Sequence, residues 1–130
     1  MPHMNGAQAL VRSLANEGVD TIFGLPGIQI MRVFDALYDE PRIKLVTVRN
    51  EQATTYMAYG YARASGKPGV ALVVPGPGVL NALAGLGTAY AASAPVLLIS
   101  GQVPTSHLGK KKGVLHEIDD QLELVRPLTK

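Results

Sequence analysis

An α/β domain, built on a parallel sheet with helices on both faces, is the fold the sequence predicts, on three observations. Helix-like and strand-like runs alternate along the 130 residues, which is the pattern of right-handed βαβ crossovers. The run Gly69-Val70-Ala71-Leu72-Val73-Val74 is continuously apolar, as suits a strand covered on both faces. Two turn segments, Gly24-Leu25-Pro26-Gly27 and Pro75-Gly76-Pro77-Gly78, each stand between a strand-like and a helix-like run. The second of them follows one strand on from Glu51 and stands with that acid at the same end of such a sheet.

The elements follow in order. Asn5 is placed to cap a first helix, with Gln8 as the return partner of a capping box. Ala7, Leu10, Val11, Leu14 and Ala15 share one helical face, and Gly18 ends it. Val19 to Phe23 predicts a short strand. Ile30, Val33, Phe34 and Leu37 give a second helical face, which Pro41 stops, and Ile43 to Val48 predicts the second strand. A third helix opens at Asn50-Glu51-Gln52-Ala53 and continues to Gly66, with Lys67-Pro68 as punctuation. After the apolar strand and the Gly-Pro-Gly loop, Val79 to Ala92 is rich in Ala, Leu and Gly. That composition predicts a helix packed closely against a neighbour. Pro95 ends it, and Val96-Leu97-Leu98-Ile99 predicts another buried strand. The stretch from Gly101 to Lys130 is less regular, with one helix expected around Ile118 to Val125. The chain stops at Pro127-Leu128-Thr129-Lys130, where a further strand is expected to begin. The domain is therefore expected to be truncated at its C-terminus.

Composition excludes several classes. A chain of this length buries roughly two thirds of its unfolded surface, enough for a core, and 47% hydrophobic with 17% charged residues fits a globular domain. A net charge of +2 with dispersed basic residues gives no case for nucleic acid, and Lys110-Lys111-Lys112 reads as a solvated loop. With 5% aromatic residues and no Trp, a base-stacking platform is not expected. The absence of cysteine excludes disulfides, thiolate metal sites and cysteine nucleophiles, and accords with a cytoplasmic location. No apolar stretch reaches the ~18 residues of a membrane span, and Met1-Pro2-His3-Met4 has no secretory pattern.

Glu51 is the candidate catalytic acid. It follows the strand-like run Leu45-Val46-Thr47-Val48 and begins a helix, a common way to aim a carboxylate into a crevice. Position alone favours the plainer reading of an acid stabilised by the helix dipole, worth about 0.3–1 kcal/mol. The Pro75–Gly78 loop precedes a helix, so its amides could hold an anion. Two prolines remove two of the donors, and a rigid wall against a flat ring fits better. Neither loop matches a dinucleotide fingerprint or a P-loop, and no Gly-x-Ser-x-Gly elbow supports a hydrolase. His116-Glu117 with Asp119-Asp120 has metal-ligand chemistry, but adjacent acids in a polar stretch usually form a solvated face, so no metal site is expected.

Five segments, taken in order, carry a resemblance: Gly24-Leu25-Pro26-Gly27; Arg49-Asn50-Glu51-Gln52-Ala53; Ala58 through Val70; Gly76-Pro77-Gly78 with Asn81; and Ala94 through Pro104. Together they resemble the N-terminal pyrimidine-binding domain of thiamine-diphosphate enzymes of the acetolactate synthase type. The match covers nearly the whole chain. The resemblance implies a flavodoxin-like sheet and a parent enzyme that decarboxylates or carboligates 2-oxo acids such as pyruvate.

In that family the glutamate at the position of Glu51 hydrogen-bonds N1′ of the aminopyrimidine and favours the imino tautomer that deprotonates the thiazolium. The resemblance further implies that Pro26, Gly27, Pro77 and Asn81 lie near the ring and that Ile28 faces the substrate side. The diphosphate and its Mg²⁺ are held by another domain through a Gly-Asp-Gly pattern absent from this chain, and the site forms between two subunits of a homo-oligomer. FAD is possible in the parent.

Two departures stand out. Relatives often carry Thr-Ser where this chain has Val74-Pro75, and many acetolactate synthases carry Phe-Gln-Glu where it has Leu115-His116-Glu117. The resemblance puts His116 on the substrate side, as an acid or base or as a neutral polar substitute. The fragment alone is expected to be inactive. The alternative reading is a stand-alone, non-catalytic interaction domain that uses the same fold to dimerise.

Overall fold

A computed structural model describes residues 3–130 of the chain. Four strands form one fully parallel sheet in the order β2-β1-β3-β4. They are β1 (Thr21–Gly24), β2 (Lys44–Thr47), β3 (Gly69–Val73) and β4 (Val96–Ser100). The helices are α1 (Gly6–Asn16), α2 (Met31–Tyr38), α3 (Glu51–Ser65), α4 (Pro77–Ala91) and the short α5 (Gln121–Val125). Of the terminal segment, Met1 and Pro2 lie outside the described residues, while His3 and Met4 are exposed.

Side-chain alternation along β3 sorts the helices into two layers. Val70 and Leu72 pack with Ile22 against Val11 and Leu14 of α1 and Leu37 of α2. Ala71 packs with Phe23 against Ala58 of α3, and Val73 against Val79 and Ala82 of α4. Every residue of β3 is buried, as its apolar run predicted. The predicted capping box is present. Gln8 N–H donates to Asn5 Oδ1 at 2.9 Å, and Asn5 N–H donates to Gln8 Oε1 at 3.0 Å. At the C-terminal end of α3, Gly66 stops the helix in the left-handed conformation (φ 72°).

Boundaries shift by one to three residues from the sequence reading, and two expectations are corrected. β4 is not a fully buried strand, because Leu97 is 45% exposed. β4 pairs with β3 on one flank only, and the other opens on a groove of about 850 Å³ between Tyr90, Leu97 and Leu128. The end of the chain does not start a strand. Arg126–Leu128 form a 3-10 turn, since Pro127 lacks the N–H a ladder needs, and Thr129 Oγ1 donates back to Val125 O at 3.0 Å.

At the N-terminal edge of the sheet a charged knot ties β1 to the end of α3. Lys67 Nζ donates to Asp20 Oδ2 at 2.6 Å and Tyr61 OH donates to Asp20 Oδ1, also at 2.6 Å. These bonds, Lys67's first, hold the Asp20 carboxyl at about 2, below its ordinary 3.8. Arg42 likewise holds Glu40 at about 2, below 4.5. A carboxyl depressed by folding contributes stability above its unfolded pKa and loses it as pH falls through the folded one. The melting temperature should therefore fall as pH drops from about 4 towards 2. Asp20→Asn should flatten that fall in part, leaving the portion due to Glu40; an unchanged slope would refute the linkage.

Candidate functional site

All four parallel strands end at one edge, so residues 25–27, 48–50, 74–76 and the long segment 101–120 emerge together there. The chain leaves β1 for β2 on one side and crosses to β3 on the other. The carboxyl ends of β1 and β3 are thus the switch point, where open α/β sheets form their ligand crevice.

Glu51 is the first residue of α3 and is partly buried. It is not the helix cap. Asn50 takes that role, its Oδ1 accepting from Gln52 N–H at 2.8 Å. The carboxylate instead reaches across to α4, where Asn81 Nδ2 donates to Glu51 Oε2 at 3.0 Å. Among the described residues Oε1 has no hydrogen-bond partner. Two helices thus converge on one acid and leave one of its oxygens free, an arrangement the helix dipole alone does not require.

The glycine segments press against each other rather than cradling an anion. A Cβ on Gly27 would collide with Val74 Cγ1, and one on Gly78 would meet Val74 Cγ2 at 2.7 Å. Val74, 6% exposed, is therefore clamped between the two loops. Gly76 has φ 61°, a region that glycine alone enters at little cost. Its N–H is already donated to Gln121 Oε1 at 2.9 Å, which leaves the loop short of donors. Pro26 and Pro77 are exposed on the two facing loops, and Ile28, 72% exposed, begins the 3-10 turn after Gly27.

Segment 101–120 closes one side of the crevice. A Cβ on Gly76 would lie 2.5 Å from the carbonyl oxygen of His116, so the backbone of His116 rests directly on the Gly-Pro-Gly loop. His116 itself has φ 69°, uncommon for any residue with a side chain. No hydrogen bond joins His116 to Glu51 among the described residues. The neighbouring acids have structural partners: Glu117 accepts from Val114 N–H at 3.0 Å, Asp119 pairs with Lys111 at 2.9 Å, and Asp120 caps α5. Lys110, Lys111 and Lys112 are all exposed.

Two residues here escaped the sequence reading. Gln121 ties Gly76 to the end of β4, its Nε2 donating to Ser100 Oγ at 3.2 Å. Gln29 Nε2 donates to Leu115 O at 3.2 Å and so ties the loop after β1 to segment 101–120. Gln121 bonds across 45 residues and Gln29 across 86. Gln29's place two residues after the Gly27 turn was the only local signal.

A family model described as "Thiamine pyrophosphate enzyme, N-terminal TPP binding domain" matches residues 4–124. The chain belongs to that family. This thiamine pyrophosphate N-terminal domain is 48% identical, over 97% of its length, to a probable 2-ketoarginine decarboxylase of Pseudomonas aeruginosa. It is 43% identical over its full length to the acetolactate synthase large subunit of Buchnera aphidicola from Schizaphis graminum. To the acetolactate synthase isozyme 3 large subunit of Escherichia coli it is 48% identical over 84% of its length. The domain spans 22%, 22% and 19% of those three proteins, about a fifth of each. Among its described residues, no helix is long and apolar enough to cross a membrane, and no group of three or more His, Asp or Glu gathers where it could hold a metal ion.

Proposed function

We propose that this domain forms the aminopyrimidine half of a thiamine-diphosphate site in an enzyme that decarboxylates or carboligates 2-oxo acids, with Glu51 as the cofactor-activating acid. The carrying observation is the Glu51 carboxyl, held by Asn81 through one oxygen and without a partner among the described residues at the other. The group fits these residues: a carboxyl oxygen with no partner among the described residues can meet a ring nitrogen, and the exposed Pro26 and Pro77 offer rigid apolar walls on the facing loops. When bound, thiamine diphosphate would supply the electron sink for the pair left on the 2-oxo carbon as its carboxyl group departs as CO2.

The residues have separable tasks. Glu51 gives and takes a proton at its free oxygen, while Asn81 fixes the orientation of the carboxyl. Pro26, Gly27 and Pro77 form the walls of the ring slot, with Ile28 and His116 toward the substrate. The diphosphate and Mg²⁺ fall to another domain, on a partner subunit of a homo-oligomer. The family relation and the name "acetolactate synthase" of several relatives support pyruvate-type substrates.

Mixing the domain with thiamine diphosphate, Mg²⁺ and the complementary domains of an acetolactate synthase relative should give CO2 release from a 2-oxo acid such as pyruvate. Release no greater than without this domain would overturn the proposal. In the same assembly Asn81→Ala should lower kcat/KM about tenfold, the effect of one lost hydrogen bond. An unchanged value would separate Asn81 from the catalytic acid.

A further inference from the structure

Among the described residues, the buried side-chain polar atoms left without a hydrogen-bond partner are Gln29 Oε1 and His116 Nδ1. Such atoms are rare in folded proteins and call for a physical account. The two residues are neighbours in space, because the Gln29 amide donates to the carbonyl of Leu115, the residue next to His116. Among the described residues the histidine's other nitrogen, Nε2, has no hydrogen bond, yet it is not among the shut-in atoms. His116 thus keeps Nδ1 inside and turns Nε2 to solvent.

We propose that His116 Nδ1–H donates to Gln29 Oε1, and that Gln29 is a positioning residue which fixes the imidazole as its Nδ1–H tautomer. A neutral imidazole has one donor and one acceptor nitrogen. An amide oxygen can only accept, so a bond to it obliges the proton to sit on Nδ1. Nε2 then carries a lone pair, and the outward face of His116 is a hydrogen-bond acceptor.

The surroundings hold this arrangement from both sides. Gln29 is braced over the end of β4, where a Cβ on Gly101 would lie 3.2 Å from the Gln29 carbonyl oxygen and 3.3 Å from its Cβ. His116 is braced over Gly76 by its own carbonyl. Its left-handed backbone is strain of the kind that concentrates at functional sites. The consequence for substrate rests on the functional reading above. An acceptor at that rim favours 2-oxo acids that present an N–H or O–H donor beyond the reacting carbons, over plain pyruvate. The tautomer itself does not depend on that reading.

The test uses long-range ¹H–¹⁵N correlation spectra of the imidazole nitrogens in this chain, read on the neutral form of the ring. The expected result for the native chain is Nδ1–H, with Nε2 showing an unprotonated shift. Gln29→Leu removes the acceptor and should move the ring towards the Nε2–H tautomer that free imidazole side chains favour. Gln29→Glu loses the bond to Leu115 O but keeps an acceptor, so it should restore Nδ1–H. An Nε2–H ring in the native chain would overturn the proposal, as would a tautomer unchanged in Gln29→Leu. If Leu and Glu shift the ring alike, Gln29 only tethers Leu115 and the proposal also fails. No cofactor enters this measurement, so its failure is distinct from failure of the thiamine-diphosphate reading, which the CO2 assay decides.

Discussion

Glu51→Gln should reduce kcat of the assembled enzyme by about 100- to 10,000-fold, the range for losing a positioned general acid–base group. The amide keeps the size of the side chain and an oxygen to accept from Asn81 Nδ2, which lies 3.0 Å from the native carboxylate. What it loses is the exchangeable proton. The helix should be unaffected, because Asn50 rather than Glu51 caps α3. The thermal midpoint should therefore move little while turnover collapses. Steady-state CO2 release alongside a circular-dichroism melt checks both halves. Near-native turnover would remove Glu51 from the mechanism, and a large drop in midpoint would mean that it is mainly structural.

The second large effect is on packing. Gly85→Ala should destabilise the domain by about 1–3 kcal/mol, as overpacked interiors do. Gly85 lies on α4 where it crosses α3. A Cβ there would collide with Thr55 Oγ1 and come within 2.6 Å of the Tyr56 backbone nitrogen. The obstructing atoms are backbone and a fully buried threonine whose hydroxyl donates to Ala82 O at 2.8 Å. Neither can swing away, so the helices must separate. Separation also pulls Asn81 on α4 from Glu51 on α3, which joins this prediction to the first. Urea denaturation should show a lower midpoint with an unchanged slope. An unaltered midpoint would mean that the two helices slide apart at no cost.

Fold and site differed in how far they could be read along the chain. The α/β alternation, the capping box at Asn5 and Gln8, and the buried strand of β3 depend on residues close in sequence, and each is where local chemistry predicts it. The edge position of β4 was not legible. Apolar runs look alike whether a strand has one neighbour or two, and β4 is the edge strand with Leu97 45% exposed. At the end of the chain, Pro127 was read as preceding a strand, whereas its missing N–H and the Thr129 contact to Val125 favour a tight turn.

The sequence by itself determined the class of fold, the family, and the acid at the head of α3, because glycine, proline and carboxylate each leave a local signature at a strand-to-helix junction. Only the tertiary structure decided what that acid touches and what surrounds it. The Asn81 bond, the clamping of Val74 between Gly27 and Gly78, and the seat of His116 on Gly76 all join segments from different strand ends. Gln29 and Gln121 hold that meeting together across 86 and 45 residues. The sequence carries no local mark of such contacts, because they exist only once the parallel sheet has brought the ends of its strands to one edge.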